Sequence, residues 1–445
     1  MRLRRARLFL ALSLPAFLAA AAPAGAQSFN LRDLLTDFVR NGILLAPPTE
    51  GPPHTADFVE ADNRQLLALE QFNTQIANQL SSFPLASSGG GFTYRFDPQL
   101  GVLTRTTGSF GTIYTERADT IGKGRFNLGL NFSHSAFTRI DNLNLRNGDL
   151  NLVFTHADDN GDGGHIHSFF EGDVITAELL MKIETDITAF VLNYGVSDRL
   201  DIGVAVPIVR VKLETQSTAT IQHLSTFDFP LIHRFPGGGN SQTLRQSGSA
   251  SGVGDVALRG KLQMVRGGSG GLAFVADVRL PTGDEQDLLG TGTTRAKGSL
   301  IGSLHLGIFS SHLNAGYTWS TKTGEARVPN EISYAVGLDL AVNPRMTLAA
   351  EVLGRDFRKT SRVRVVNTVY TANTNSNENP PTIREATFPT LTIENVQDLN
   401  TLIGSVGLKF NPVGNLLLTV NGLFSLNREG LQSRFTPLVG IEYSF

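Results

Sequence analysis

At 445 residues the chain could form two soluble domains or one large barrel. Its 41% hydrophobic content is too dilute for a helical membrane protein, because past residue 30 no window approaches the roughly 18 continuous apolar positions of a membrane helix. A formal charge of -2 gives no basis for a nucleic-acid partner or a basic membrane-surface patch. The absence of cysteine excludes a disulfide framework and a lipid anchor on cysteine, and 46 glycines against four methionines favour a sheet-and-turn chain.

The N-terminus reads as an export address. Arg2, Arg4, Arg5 and Arg7 precede an apolar run from Leu8 to Ala22, and Ala24-Gly25-Ala26 supplies small residues at a cleavage site before Gln27. Residues 1–26 are therefore expected to be a signal peptide. Residues 27–91 differ from all that follows. Leu31, Leu34, Leu35, Phe38 and Val39 recur at helical spacing until Pro47-Pro48, and Leu66, Leu69, Phe72, Ile76, Leu80 and Phe83 do so until Pro84. Two amphipathic helices of this kind cannot bury their stripes alone, so they are expected to pack in or under a larger body. Ser87 to Gly91 reads as a flexible joint, and 92–123 as an extended segment leading onward.

From Gly124 to Phe445 the pattern is period 2. Phe126, Leu128, Leu130 and Phe132 alternate with Asn127, Gly129, Asn131 and Ser133. The pattern recurs near 173–195, 200–213, 252–266, 271–283, 297–309, 312–322, 332–342, 345–358, 399–411, 415–428 and 432–445, making about twelve strands. The last of them carries Val439, Ile441, Tyr443 and Phe445 on one face, an aromatic ending similar to the C-terminal signal that the barrel assembly machinery of bacterial outer membranes reads. The fold class expected is all-β: an antiparallel transmembrane β-barrel of about 12 strands with an N-terminal helical segment.

Short connections at 196–199, 266–271, Ser310-Ser311, Asn343-Pro344 and 411–414 alternate with long polar ones at 138–172, 214–251 and 359–398 and shorter ones near 285–296 and 323–331. Short periplasmic turns and long external loops are the habit of outer-membrane barrels, which places the protein in the outer membrane of a Gram-negative cell among its lipid and lipopolysaccharide. At 200–213 the apolar set changes parity, from Leu200, Ile202, Val204 and Val206 to Val209, Val211 and Leu213. A bulge at Pro207 would keep both halves facing lipid. The 173–195 strand is too long for the bilayer and is expected to project outward.

The runs Tyr194-Gly195-Val196-Ser197-Asp198-Arg199-Leu200-Asp201, Gly252-Val253-Gly254-Asp255-Val256, Leu280-Pro281-Thr282-Gly283-Asp284 and Gly290-Thr291-Gly292 resemble the transporter-like outer-membrane family of the MetA pathway of phenol degradation. The resemblance covers roughly 120–445. It implies a barrel tied to uptake of hydrophobic or aromatic compounds, distantly like the long-chain fatty-acid transporters, and carries over no site residue.

The polar face of each strand, read as the inward one, holds Glu178, Lys182, Glu184, Arg259, Lys261, Asp277, Arg279, His305, Asp339, Glu351, Arg355, Lys409 and Glu442. Opposite charges on adjacent strands, such as Arg259 and Lys261 beside Asp277, are expected to pair, either to fill the lumen or to line a path through it. Asp158, Asn160 and Asp162, with Gly163, repeat the first half of a calcium loop, although Phe169 stands at the twelfth position where a bidentate Glu belongs. The only cofactor suggested is a structural calcium there, and His165, His167 and nearby His156 offer a softer metal an alternative. His134-Ser135 are adjacent on a strand, so they face opposite sides and cannot form a catalytic dyad. The function expected is passive passage of a small hydrophobic or aromatic solute through the barrel, without enzymatic chemistry. The alternative is a structural or adhesive barrel with a closed lumen and working external loops.

Overall fold

The computed structural model describes residues 30–49, 53–59, 64–80, 86–87, 90–97, 99, 102–105, 108–157, 169–226, 231–321, 328–373 and 382–445. The expected signal peptide lies outside them. Twelve strands form the barrel: β1 (Phe126–Ile140), β2 (Val174–Gly195), β3 (Leu200–Gln222), β4 (Ala257–Arg266), β5 (Gly270–Arg279), β6 (Arg295–Leu306), β7 (Phe309–Ser320), β8 (Glu331–Asn343), β9 (Met346–Asn373), β10 (Ile383–Phe410), β11 (Leu416–Ser425) and β12 (Thr436–Ser444). Each pairs antiparallel with its chain neighbours. β1 closes the ring, pairing with β2 from Phe126↔Tyr194 to Phe137↔Ile183 and with β12 from Asn127↔Ser444 to Ser133↔Leu438.

The outward residues of the alternation are the exposed ones: Leu128, Leu130, Phe132, Leu258, Leu262, Leu300, Leu338, Val406, Val420 and Ile441 form an oily belt. Aromatic rings mark its two rims. Phe126 lies against Tyr194 (ring centroids 4.5 Å apart) and Phe445 (5.5 Å) at the short-turn end, and Tyr317 and Trp319 (4.8 Å) meet at the long-loop end. Such girdles sit where hydrocarbon gives way to head groups.

Three details differ from the sequence reading. The β6–β7 turn is not at Ser310-Ser311: Leu306 pairs with Phe309 across Gly307-Ile308, because the tight two-residue turn needs the left-handed conformation that Gly307 adopts (φ 65°). The segments read as loops at 214–251 and 359–398 are largely paired strand. β9 and β10 run 28 residues each and pair to Asn373↔Ile383, and Ser241–Val253 adds a strand beside the outer half of β3. At about 3.3 Å per residue, 28 residues reach roughly 90 Å, far more than the apolar band of about 25 Å. Above the bilayer the outer face has no reason to be oily, so the pattern that marks a lipid-facing strand ends while backbone pairing continues.

The third difference explains the parity change. There is no bulge at Pro207: the β2–β3 register runs unbroken from Gly195↔Asp201 to Val174↔Gln222. Val211 and Leu213 therefore face inward and are buried, while Arg210, Lys212 and Glu214 face out. Apolar and polar faces exchange roles near residue 208, where the strand leaves the membrane and its inner side meets the N-terminal helices.

Those helices, α1 (Leu34–Gly42), α2 (Thr55–Phe58) and α3 (Arg64–Leu80), occupy the outer half of the barrel. Leu34, Leu35, Phe38, Leu66, Leu69, Phe72 and Ile76 form one apolar core with Leu179, Met181 and Ile183 of β2, Val211 and Leu213 of β3, Val363 of β9 and Leu391 of β10. The amphipathic stripes find their partner in the inner faces of the projecting strands. Polar ties fix the ends: Asn73 Nδ2 donates to the Arg32 carbonyl (2.8 Å), and Asp141 accepts from Gln75 Nε2 (3.3 Å), the Gly430 amide (2.7 Å) and Arg362 (3.0 Å). Replacing the fully buried Phe72 by alanine should cost about 3–5 kcal/mol in this core. Limited proteolysis should then cut residues 30–80 faster, while the folded barrel keeps its migration on unheated gels.

Candidate functional site: the lumen

Below the helical core the chain enters the barrel and turns back on itself. On the way in the Ser87 amide donates to the Ile113 carbonyl (2.7 Å), and at the short-turn end the Gly91 amide donates to Glu442 (3.0 Å) and Tyr94 to Asn415 (3.0 Å). After a short hairpin, Tyr94–Asp97 with Val102–Arg105, residues 108–123 climb back through the lumen and descend again to β1. This stretch has no regular structure, so wall side chains satisfy its backbone. Glu351 of β9 accepts the amides of Ile113 (2.9 Å), Tyr114 (2.9 Å) and Thr115 (2.5 Å). Lys409 of β10 donates to the carbonyls of Phe110 (3.3 Å) and Thr112 (2.7 Å). Asn314 exchanges two hydrogen bonds with the Glu116 backbone, Ser303 accepts from the Ala118 amide and Asp201 from that of Ile121. The wall thins where the segment presses on it: a Cβ on Gly337 would stand 2.8 Å from Thr112 and Thr115.

At the apex of the segment the side chains carry charge. Glu116 meets both Arg259 and Lys261 (2.9 Å to the latter), and Arg259 also pairs with Asp277. On the far wall Glu331 is held between Arg295 (2.9 Å) and Arg355 (2.7 Å). Lower down, His305 bonds Asp119 (3.1 Å) and His312 bonds Asp339 (2.7 Å). Between the apex and the walls lies a cavity of about 150 Å³, lined by the apolar side chains of Tyr114, Val275, Ile301 and Leu353 and by charged ones on the same strands. Its lining holds five cations, Arg259, Arg279, Arg295, Lys297 and Arg355, against three carboxylates, Glu116, Asp277 and Glu331. Among the described residues, Arg279 and Lys297 have no carboxylate within 4.0 Å. A cavity of this size holds a benzene ring when its walls are apolar. Here the apolar side chains suit a ring and the cations an oxygen bearing negative charge.

Most residues placed in the lumen by parity are there. Arg259, Lys261, Asp277, His305, Asp339, Glu351, Arg355, Lys409 and Glu442 make the contacts above, and Arg279 lines the cavity. Glu178, Lys182 and Glu184 are not. They lie on the projecting half of β2 and point outward, where Lys182 meets Glu184 (3.0 Å) and Glu214 (3.9 Å), while the inward positions Leu179, Met181 and Ile183 pack on the helices. They share the parity of the lipid-facing Phe190 and Leu192 on the same strand, and above the bilayer that outer face is the polar one. Sequence reasoning missed Glu116, Arg295, Lys297 and Glu331. The three strand residues share the inward parity at the outer ends of β6 and β8, whereas Glu116 sits in a segment without periodicity and gave no signal. Asp158, Asn160 and Asp162 of the candidate calcium loop lie outside the described residues, as do His165 and His167. His134 and Ser135 face opposite sides: His134 bonds Asp186 outside (2.7 Å) and Ser135 meets Thr436 inside (3.0 Å).

The resemblance seen in the sequence extends to a family model described as "Putative MetA-pathway of phenol degradation", which matches residues 155–367, a shorter span than the turn motifs suggest. No curated protein matches the chain. Among solved structures the barrel is similar to an outer-membrane channel from Pseudomonas putida F1, with 14% identity over 74% of this chain and 98% of that one and a TM-score of 0.40. It is also similar to a FadL homologue from Pseudomonas aeruginosa (13% identity, 74% and 91% covered, TM-score 0.32) and to the Ralstonia pickettii toluene transporter TbuX (11%, 73% and 90%, 0.28).

Removing the Glu351 carboxylate orphans three buried amides at the apex of the threaded segment. At about 1–3 kcal/mol for each unsatisfied group, Glu351→Ala should loosen the segment by at least about 3 kcal/mol, roughly a hundredfold in its displaced population. Single-channel recording in planar bilayers should show higher conductance or more frequent opening than in the unaltered protein, with Glu351→Gln between the two.

Proposed function

We propose that the barrel conducts small hydrophobic or aromatic compounds passively across the outer membrane, with the segment 86–123 setting how readily they pass. The observation that carries this reading is the ring-sized cavity between the segment and the wall. Its apolar side chains accept a ring, and its surplus of two positive charges favours a solute with a phenolate or carboxylate oxygen. The family description, with phenol degradation in it, fits the same class of solute. The segment packs Ile113 and Tyr114 against Leu353 and Leu423, and Phe110 against Leu417, but its backbone is held by hydrogen bonds to side chains, and water or a polar solute can replace such bonds at modest net cost. Passage on this reading is diffusion through a filled but exchangeable lumen, with no bond made or broken in the solute.

Around the barrel, outer-membrane lipid covers the oily belt. Arg210, Lys212 and Lys182, on the projecting strands just above the membrane, suit contact with lipopolysaccharide phosphates, and β12 is the strand through which the assembly machinery would take hold. A second reading has support of its own: the lumen is packed from the helices down to the short turns, and the β9–β10 hairpin stands far out, as an adhesive barrel would have it. Transport assays separate the two. In proteoliposomes, benzoate and phenol flux should exceed that of protein-free vesicles and rise further when residues 27–91 are removed. The double variant Arg279→Ala, Lys297→Ala should lower benzoate flux several-fold relative to neutral toluene. No flux above background in either form would leave the adhesive reading.

A further inference from the structure

Three histidines distant in sequence converge at the outer end of the barrel. His54 stands at the start of α2, His156 just past the strand Leu150–Thr155, and His233 in the connection after β3. His54 Nδ1 is 3.1 Å from His156 Nε2 and 3.2 Å from His233 Nε2, and the three ligand atoms lie within 4.8 Å of one another. The Asp57 carboxylate joins them, 3.4 Å from His156 Nε2 and 3.8 Å from His54 Nδ1. The side chains of His156 and His233 are fully buried, and the rings of Phe58 and Phe170 wall the cluster at 5.0–5.2 Å.

Hydrogen-bond accounting shows what the cluster lacks. The outer nitrogen of His156, Nδ1, faces the Ala157 carbonyl (2.8 Å), and that of His233 faces the Asp173 carboxylate (2.9 Å). Both partners accept only, so in the neutral rings both protons sit on Nδ1, and both Nε2 atoms turn lone pairs toward His54. His54 Nδ1 carries at most one proton and can satisfy only one of them, and the Asp57 oxygen adds more lone pairs. Asp173 is itself fixed by the amides of Ser225 (2.9 Å) and Thr226 (3.1 Å). Lone pairs from several residues thus point at one place with too few protons between them, and each buried ring is oriented from behind by a carbonyl or carboxylate, the usual support of a metal-bound histidine.

We infer that His54, His156 and His233, with Asp57, bind a divalent first-row transition metal, Zn²⁺ foremost, which clasps the N-terminal segment to two outer connections of the barrel. Bond lengths of 2.0–2.1 Å in a tetrahedron separate the ligand atoms by about 3.3–3.4 Å, close to the spacings around His54 and Asp57. Three imidazoles and one carboxylate suit zinc and exclude calcium, which takes oxygen. His54 and Asp57 are partly exposed, at 17% and 26%, and give the ion a way in. The metal would join α2 to pieces of chain that follow β1 and β3, so its binding energy would hold the helical segment in place. The inference stands whether or not the barrel conducts.

The test uses the full mature chain without a histidine tag, stripped with EDTA in detergent and titrated with ZnCl₂ by calorimetry and with Co²⁺ by visible absorption. The expected result is one equivalent of either metal and a tetrahedral Co²⁺ spectrum. His156→Ala and His233→Ala should each weaken binding on the order of a hundredfold or more, and Asp173→Asn 10- to 100-fold. His305→Ala, in the lumen, should leave binding unchanged. At a free zinc concentration about 100 times its Kd, protease cleavage at the helical segment should slow by up to about a hundredfold. X-ray absorption at the zinc edge of the unaltered protein should show imidazole nitrogens at 2.0–2.1 Å, a readout that needs no variant to fold. Absence of saturable binding, binding retained by both histidine variants, or an absorption edge without imidazole scattering would overturn the assignment.

Discussion

A sheet in hydrocarbon cannot leave an edge, since each unpaired backbone group there costs several kcal/mol with no water to satisfy it. β1 meets this constraint by pairing with β2 on one side and β12 on the other, and the rest of the structure follows from that closure. Twelve strands enclose more space than their own inward side chains can fill, so the chain supplies its own filling from the described residues between 30 and 123. The oily belt, the rims of aromatic rings and the buried charges are all consequences of a cylinder that must be apolar outside and filled inside.

The filling obeys two different chemistries at two heights. Above the membrane the projecting strands turn apolar faces inward, and helices pack on them as in the core of a soluble protein, with Phe72, Leu69 and Leu213 in one cluster. Within the membrane the inward faces are mostly polar and the filling is irregular backbone, held by Glu351, Lys409, Asn314 and Asp201 beside small apolar clusters such as Ile113 and Tyr114 with Leu353 and Leu423. Core packing is cooperative and costly to open, whereas a hydrogen bond exchanged for one to water changes the free energy little. The same N-terminal segment is thus anchored firmly at one end and replaceably at the other, a division that suits passage through a filled lumen.

Charge is handled in the same spirit. A buried pair gains little net stability after its desolvation, yet Glu331 is gripped by two arginines and Glu116 by an arginine and a lysine. These networks fix the position of the apex and leave Arg279 and Lys297 facing the cavity. On the proposed reading their arrangement would select the solute more than it stabilises the barrel.

How much of this was legible in the chain depends on whether the signal was local. Period-2 alternation is local, so Leu128, Leu130 and Phe132 declared a lipid-facing strand, and all twelve strands, the helical stripes of 31–80 and most of the lumen charges could be read directly. What parity cannot state is height. Glu178, Lys182 and Glu184 are polar like lumen residues but keep the parity of the lipid-facing Phe190 and Leu192 and lie outside, because above the bilayer the outer face meets water and not lipid. Nor can spacing report contacts between segments without periodicity: Glu116 meets Arg259 and Lys261, and His54, His156 and His233 meet one another, solely because closure of the sheet and packing of the helices bring them together. The amino-acid order by itself determined a closed cylinder and its oily outside, since each residue's face follows from its immediate neighbours. The occupants of the lumen and the gathering of the histidines were decided in three dimensions, where the partners are set by the circumference of the barrel and not by distance along the chain.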